Sequence, residues 1–161
     1  LPPLSARPAS QDSLPTGEIF ADFCYSKSMI FLICLVALIL PLVLIPIEHI
    51  APYPYIIEEI AKAILILAIL KTSRYKSQLT ITLMATFLFA FSENIFYSTN
   101  FITDGILSSF WQRFLLTTSL HILTAVVILL PSQKKLKLIV PATILAMIIH
   151  YFYNELVIVL F

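Results

Sequence analysis

Long apolar runs separated by short polar connections dominate the pattern of this chain. Five runs are each close to the length that a helix needs to cross about 30 Å of hydrocarbon. They lie at residues 29–47, 55–70, 79–97, 113–130 and 138–161. Pro41 and Pro46 should bend or end the first run, whereas Pro141 falls in the opening turn of the fifth, where proline is tolerated. The pattern predicts an all-α fold, a polytopic membrane helix bundle with about five transmembrane helices.

The composition supports a membrane protein and narrows its partners. Of the 161 residues, 60% are hydrophobic and only 12% are charged, whereas about a quarter of a soluble domain is charged. The formal net charge of +1 gives no reason to expect a nucleic-acid partner. Only two glycines are present, which argues against a glycine-packed channel or a phosphate-binding loop. We therefore expect an integral membrane protein in contact with the lipid bilayer.

The start of the chain differs from the rest. Residues 1–22 are rich in proline, serine and other polar residues and show no helical periodicity, which is typical of a flexible polar tail. They also lack the basic start, apolar centre and small-residue cleavage site of a signal peptide. The expected division is a tail over 1–22 and a transmembrane helical domain over 23–161.

Basic residues are confined to two of the four connections between the runs. Three occur in "KTSRYKS" at 71–77 and three in "PSQKKLK" at 131–137. The connections "EHIAPYP" and "STNFITDGILSSFWQ" contain acidic residues but no lysine or arginine. Under the positive-inside rule the basic connections are cytoplasmic. This predicts a cytoplasmic N-terminus and an extracytoplasmic C-terminus.

Polar residues interrupt four of the five runs at similar depth, in the half predicted to face outwards. They are Glu58, Glu59 and Lys62, then Glu93 and Asn94, then Arg113 and His121, then His150 and Asn154. A lysine or carboxylate at mid-membrane costs about 2.5–3.5 kcal/mol, while a leucine or isoleucine returns only about 0.3–0.6 kcal/mol. Ionisable residues retained at such a cost are candidates for function and should face the bundle interior.

The spacing of these residues suggests a chemistry. Lys62 lies four residues after Glu58 and three after Glu59, so it can pair with either carboxylate on one helix face. His150 and Asn154 are also four apart and project side by side. A carboxylate near an imidazole can activate water, and an asparagine amide or histidine N–H can stabilise an oxyanion. We expect Glu58, the partner of Lys62 at the more favourable spacing, to be the base and Glu59 to orient the site.

Four segments that contain these residues resemble the motifs of a known family. They are "EEIAK" (58–62), "FAFSENIFY" (89–97), "RFLLTTSLH" (113–121) and "HYFYN" (150–154). In order and on separate helices, they resemble the PrsW family of intramembrane proteases, which is related to the CAAX prenyl endopeptidases and the CPBP-Abi group. Glu93 stands where the prenyl endopeptidases have histidine, as is typical of the PrsW branch. Many relatives have more helices than the five predicted here.

The resemblance implies a glutamate-type endopeptidase, in what we expect to be a prokaryotic plasma membrane. We expect no cofactor and no metal, because a carboxylate with an asparagine–histidine oxyanion site needs no ion. Glu58 or Glu59 would be the general base, Glu93 and His121 would shape and polarise the site, and His150 with Asn154 would bind the oxyanion. Supporting roles fall to Lys62, Asn94 and Arg113. The implied substrate is a membrane-anchored protein, resembling an anti-sigma factor or a peptide precursor, cut near the extracytoplasmic side.

Other interpretations of the same residues remain open. A glutamate–lysine pair can simply lock two helices together, His121 can be a packing residue, Arg113 can reach the interface, and Asn94 can join helices. Two histidines and three glutamates at one depth also suit zinc, although the chain has no HExxH motif and no cysteine set. A small transporter or proton relay would use such residues too, but no inverted repeat is visible. A catalytically inactive substrate-binding relative is the third alternative.

Overall fold

The structure is a computed structural model that describes residues 16–48, 50–103 and 107–160. Side chains are described within 27–47, 50–74, 76–96 and 110–156. The described residues form five α-helices and one short 3₁₀-helix. The α-helices are α1 (Thr16–Glu48), α2 (Pro54–Thr72), α3 (Tyr75–Thr103), α4 (Leu107–Lys134) and α5 (Ile139–Leu160). The 3₁₀-helix, Leu136–Leu138, joins α4 to α5. No strand occurs in these described ranges. The predicted all-α fold is confirmed.

The helices extend beyond the apolar runs that predicted them. α1 begins at Thr16 and continues through Pro41 and Pro46 to Glu48, so neither proline ends it. Its first seven residues fall inside the predicted tail, because the sequence from 16 to 40 contains no proline to interrupt helical hydrogen bonding. The remainder of that tail, residues 1–15, lies outside the described residues. Pro141 is the third residue of α5, as predicted.

Four of the helices contain segments long and apolar enough to cross a membrane. These segments are Lys27–Ile47, Lys76–Phe96, Phe110–Lys134 and Leu136–Leu156, and they support an integral membrane protein. α2 corresponds to the remaining predicted span, residues 55–70. Its 19 residues rise about 28 Å at 1.5 Å per residue, but four charged residues keep it from qualifying by composition.

The position of α2 explains how it can be charged. It contacts each of the other four α-helices, while α1, α3, α4 and α5 contact one another in that order and form an arc around it. The arc is open, because α1 and α5 make no contact in the described part of the chain. The faces of α2 that meet the arc are therefore shielded from lipid, and polar side chains on them meet protein instead.

Apolar packing fills the half of the bundle that contains the C-terminal part of α2. One buried cluster joins α1, α2 and α3 through Ile33, Ala37, Leu65, Ile69, Ile81 and Ala85. A second joins α2, α4 and α5 through Ile66, Ala125, Ile128, Leu129 and Ala146. Alanines at these contacts allow the helix backbones to approach closely. The opposite half, around the N-terminal part of α2, contains the buried ionisable residues.

Candidate active site

Glu59 is the centre of a hydrogen-bonded chain that links three helices. Its Oε1 atom lies 2.5 Å from Lys62 Nζ and 2.8 Å from His150 Nδ1. Lys62 also donates to Thr124 Oγ1 on α4 at 3.1 Å. Glu59 is fully buried, and Lys62 is 2% exposed. Because an ionised carboxylate only accepts hydrogen bonds, we assign the proton of His150 to Nδ1, and Nε2 then faces the remainder of the site.

Glu58 lies beside this chain but is not part of its hydrogen bonding. Its Oε2 atom is 3.7 Å from His150 Nε2, too far for a hydrogen bond, and it is buried without a partner in the described structure. Oε2 of Glu59 is also buried without a partner, but the charge of that carboxylate is matched by Lys62. Of the two adjacent glutamates, Glu58 has the carboxylate that is available to a substrate or a water.

Glu58, Glu93 and His121 form a second group, which we call the open cluster. Their potential ligand atoms all lie within 4.8 Å of one another, and all three residues are buried. His121 Nε2 is 2.8 Å from Glu93 Oε2, but the two groups are not oriented for a hydrogen bond. Both atoms are buried and have no hydrogen-bond partner among the described residues. Three buried polar atoms that converge without satisfying one another indicate a place for a ligand, because such groups are costly to leave unpaired.

The donor set of the open cluster fits a divalent metal ion. Imidazole nitrogens and carboxylate oxygens are both zinc ligands, and catalytic zinc sites use three protein ligands. Three carboxylates, those of Glu58, Glu59 and Glu93, are buried with Lys62, and Arg113 at the edge of the site interacts with Glu93. Buried carboxylates need such a partner or a metal ion. Glu58, Glu93 and His121 are therefore the residues that would hold a metal.

Aromatic side chains fix the two imidazoles. The ring of Phe89, 1% exposed, is 5.5 Å from the ring of His121 and 5.9 Å from Lys62 Nζ. The two imidazole rings are 5.6 Å apart and nearly perpendicular. Tyr55 packs on the other side of His150 at 6.2 Å. This packing restricts rotation of the rings and so holds their nitrogens in place.

The structure brings together most of the residues that the sequence singled out, but not all of them. Glu58, Glu59, Lys62, Glu93, His121 and His150 all belong to the site described above. Asn154 is half-buried and has no hydrogen bond to these groups among the described side chains. Asn94 donates to the Ala90 carbonyl of its own helix at 2.8 Å. Arg113 is half-buried on α4 and interacts electrostatically with Glu93.

Thr124 is the site residue that sequence reasoning missed. It connects Lys62 to α4 and donates to the carbonyl of His121 at 3.2 Å. A signal was present, because Thr117, His121 and Thr124 follow one another at the four-and-three spacing of a single helix face. A polar stripe on an otherwise apolar span predicts a buried polar interface.

Comparison with known protein families identifies a match. The sequence profile of a family described as "PrsW family intramembrane metalloprotease" matches residues 50–160, which include every residue of the site. No curated protein matches the chain, and no solved structure matches it.

Proposed function

Because the chain belongs to the PrsW family and is thus an intramembrane protease, we propose that it hydrolyses a membrane-anchored protein with water activated by Glu58. The substrate would resemble an anti-sigma factor or a peptide precursor, and cleavage would occur near the extracytoplasmic side. The observation that carries this proposal is the carboxylate of Glu58, whose buried Oε2 has no hydrogen-bond partner while Lys62 and His150 hold Glu59.

In the proposed reaction Glu58 acts as general base and then as general acid. Its carboxylate takes a proton from water as the water oxygen attacks the carbonyl carbon of the scissile peptide bond. When the C–N bond breaks, the protonated Glu58 returns that proton to the departing amine nitrogen. The products are a carboxylic acid and an amine, and the carboxylate of Glu58 is regenerated.

The other residues position and stabilise. Glu59 holds Nδ1 of His150, which directs Nε2 towards the reaction, much as a carboxylate orients a histidine in other hydrolases. Because Nδ1 is bonded to Glu59, His150 would bind the oxyanion through Nε2 as an imidazolium, together with Asn154. Glu93 and His121 would shape and polarise the site. Lys62 neutralises Glu59, and Thr124 anchors Lys62, so neither needs to touch the substrate.

A metal ion in the open cluster is the second candidate mechanism. It is favoured by the three convergent buried atoms of Glu58, Glu93 and His121 and by the description of the matching family. A bound divalent ion would act as a Lewis acid and lower the pKa of water. Here Glu58 would bind the ion rather than serve as the free base, and Glu59 would still position His150.

The activity is tested by co-expressing the chain with a panel of epitope-tagged single-pass membrane reporters in a bacterium. We expect at least one reporter to be cut by the wild-type chain and by Glu155→Gln, because Glu155 is exposed on α5. Glu58→Gln should leave that reporter intact. Equal cleavage by wild type and Glu58→Gln would refute the role of Glu58.

Labelling of single cysteines placed in the connections 71–77 and 131–137 tests the proposed orientation in the membrane. That orientation requires both connections to be protected from an impermeant reagent outside the cell.

A further inference from the structure

One face of α2 is left uncovered by the arc of helices around it. α1 and α5 do not contact each other in the described residues, and the α2 surface between them carries Ile60 and Ile64. Ile64 is 62% exposed and Ile60 46% exposed, although α2 is the central helix of the bundle. The arc therefore has a lateral opening on the helix that contains Glu58.

Two adjoining cavities run along the seam between α2 and α5 at this opening. One, of about 300 Å³, is lined mainly by Ile60, Ala63, Ile64, Leu67, Val140 and Thr143. The other, of about 380 Å³, is lined by Tyr55, Ile56, Ile148, Tyr151 and Phe152. Both include Ile144 and Met147, so together they form one apolar groove, here called the α2–α5 groove. Early residues of α2 share a cavity with late residues of α5, which shows that the two helices run antiparallel.

The side chains of the α2–α5 groove have the spacing of a helix-packing surface. On α2 the lining residues 56, 60, 63 and 67 are separated by four, three and four positions. On α5 the lining residues 140, 144, 147 and 151 repeat the same spacing. This is the stripe that packs against a neighbouring helix in bundles and coiled coils. Two such stripes side by side form an apolar surface against which a third helix can pack.

The groove leads to the proposed site. Tyr55 lines the larger of its two cavities, of about 380 Å³. It also packs against His150, with ring centroids 6.2 Å apart. It contacts Tyr151 across the groove at 5.9 Å. Tyr55 therefore stands between the apolar groove and the buried polar residues, one helical turn before Glu58 and Glu59.

We infer that the α2–α5 groove binds the transmembrane helix of the substrate, with Tyr55 separating that helix from the catalytic residues. This inference rests on the proposed function, since only a membrane-embedded substrate would need such a seat. The side chains that line the groove are almost all aliphatic or aromatic. The partner is therefore a single apolar helix, with bulky aliphatic side chains and no charge where it lies along the groove. Its segment at the level of Ile56 and Ile60 would unwind towards Glu58, which lies between those two residues along α2, and this would expose the peptide bond.

Photocrosslinking in liposomes tests the seat without requiring cleavage. The full chain receives p-benzoylphenylalanine in place of Ile64, or in place of Leu123, a 51% exposed residue on α4 that serves as the control. The probe is a fluorescent leucine–alanine peptide of about 20 residues with lysines at both ends, long enough to span the bilayer. We expect the yield of crosslinked peptide at position 64 to exceed that at position 123 by about fivefold, which corresponds to about 1 kcal/mol of preference. Equal yields, crosslinks to lipid alone, or crosslinks to a second copy of this chain would overturn the inference.

A groove-filling substitution separates this inference from the proposed activity. Ile64→Trp should reduce cleavage of a membrane-anchored reporter by about fivefold or more, because the larger side chain fills the groove. Leu123→Trp should leave cleavage of that reporter unchanged. Unaltered reporter cleavage by Ile64→Trp refutes the groove but leaves the protease mechanism standing. If position 64 crosslinks the peptide and no reporter is cleaved by the wild-type chain, the proposed activity fails and the groove stands.

Discussion

Lys62 binds Glu59 and not Glu58. Its Nζ atom lies 2.5 Å from Glu59 Oε1, across three residues of one helix. Spacing alone would favour the alternative pair, in which glutamate precedes lysine by four residues. The pairing with Lys62 therefore gives the two adjacent carboxylates different environments. Glu59 is neutralised and hydrogen-bonded, while Glu58 faces Glu93 and His121 in the open cluster.

The two glutamates should therefore respond differently to the same substitution. Glu58→Gln should abolish cleavage and leave stability unchanged or slightly raised, since it removes one of three clustered negative charges. Glu59→Gln should destabilise the chain by about 3 kcal/mol, because it leaves Lys62 buried without a counter-charge. Thermal unfolding in detergent and reporter cleavage measure the two effects. Equal stability loss in both variants would contradict the division of roles.

The Lys62–Glu59 pair can be tested as a unit. Lys62→Met alone should cost about 3–5 kcal/mol, as expected when one partner of a buried ion pair is removed. Adding Glu59→Gln to Lys62→Met should recover a large part of that loss, because the orphaned charge disappears. A double-mutant cycle on unfolding free energies gives the coupling between the two side chains. Strict additivity would mean that the pair observed here does not contribute to stability.

The two candidate mechanisms differ in their metal requirement. Water activated by Glu58 alone predicts that cleavage persists after exhaustive chelation, and this is the result we expect. An ion in the open cluster predicts instead about one zinc per purified chain, together with loss of both zinc and cleavage in His121→Ala. Elemental analysis of wild type, His121→Ala and the exposed-site control Glu155→Gln decides between them.

Phe89 should matter to the site as well as to the core. It packs with Leu44 and Ala61 and contacts His121 and Lys62. Phe89→Leu should lower stability by about 1–2 kcal/mol, given the loss of aromatic contacts in a packed interior, and should reduce cleavage. Phe87 is 43% exposed on the same helix, so Phe87→Leu should change stability by less than about 0.5 kcal/mol. If the two variants behave alike, the packing around His121 has no special role.

Asn154 offers a test of the proposed oxyanion site. It is half-buried and makes no hydrogen bond to the described groups of the site, so Asn154→Ala should leave the unfolding temperature unchanged. Loss of an oxyanion donor typically lowers turnover by about 10²–10³-fold, and we expect a drop of that order. Wild-type cleavage by Asn154→Ala would remove Asn154 from the catalytic residues and leave His150 as the donor.

Much of the architecture was predictable from local features of the sequence. Helices follow from long apolar runs, because a segment in lipid must satisfy its backbone hydrogen bonds internally. The candidate site was predictable from the cost of burying ionisable side chains in a membrane, because residues such as Lys62, Glu93 and His121 are rare within apolar runs and face the bundle interior where they occur. Helix ends were less predictable, since hydrogen bonding in α3 and α4 continues past the apolar residues into the polar connections.

Only the tertiary structure decided which polar groups meet. Glu59 acquires its partners from Lys62 three residues away and from His150 ninety-one residues away, and Thr124 fixes Lys62 from a third helix. The same packing leaves Asn94 bonded to its own helix and leaves an opening between α1 and α5. Helical spacing places side chains around one axis, but the rotation and order of neighbouring helices depend on packing between residues far apart in the chain.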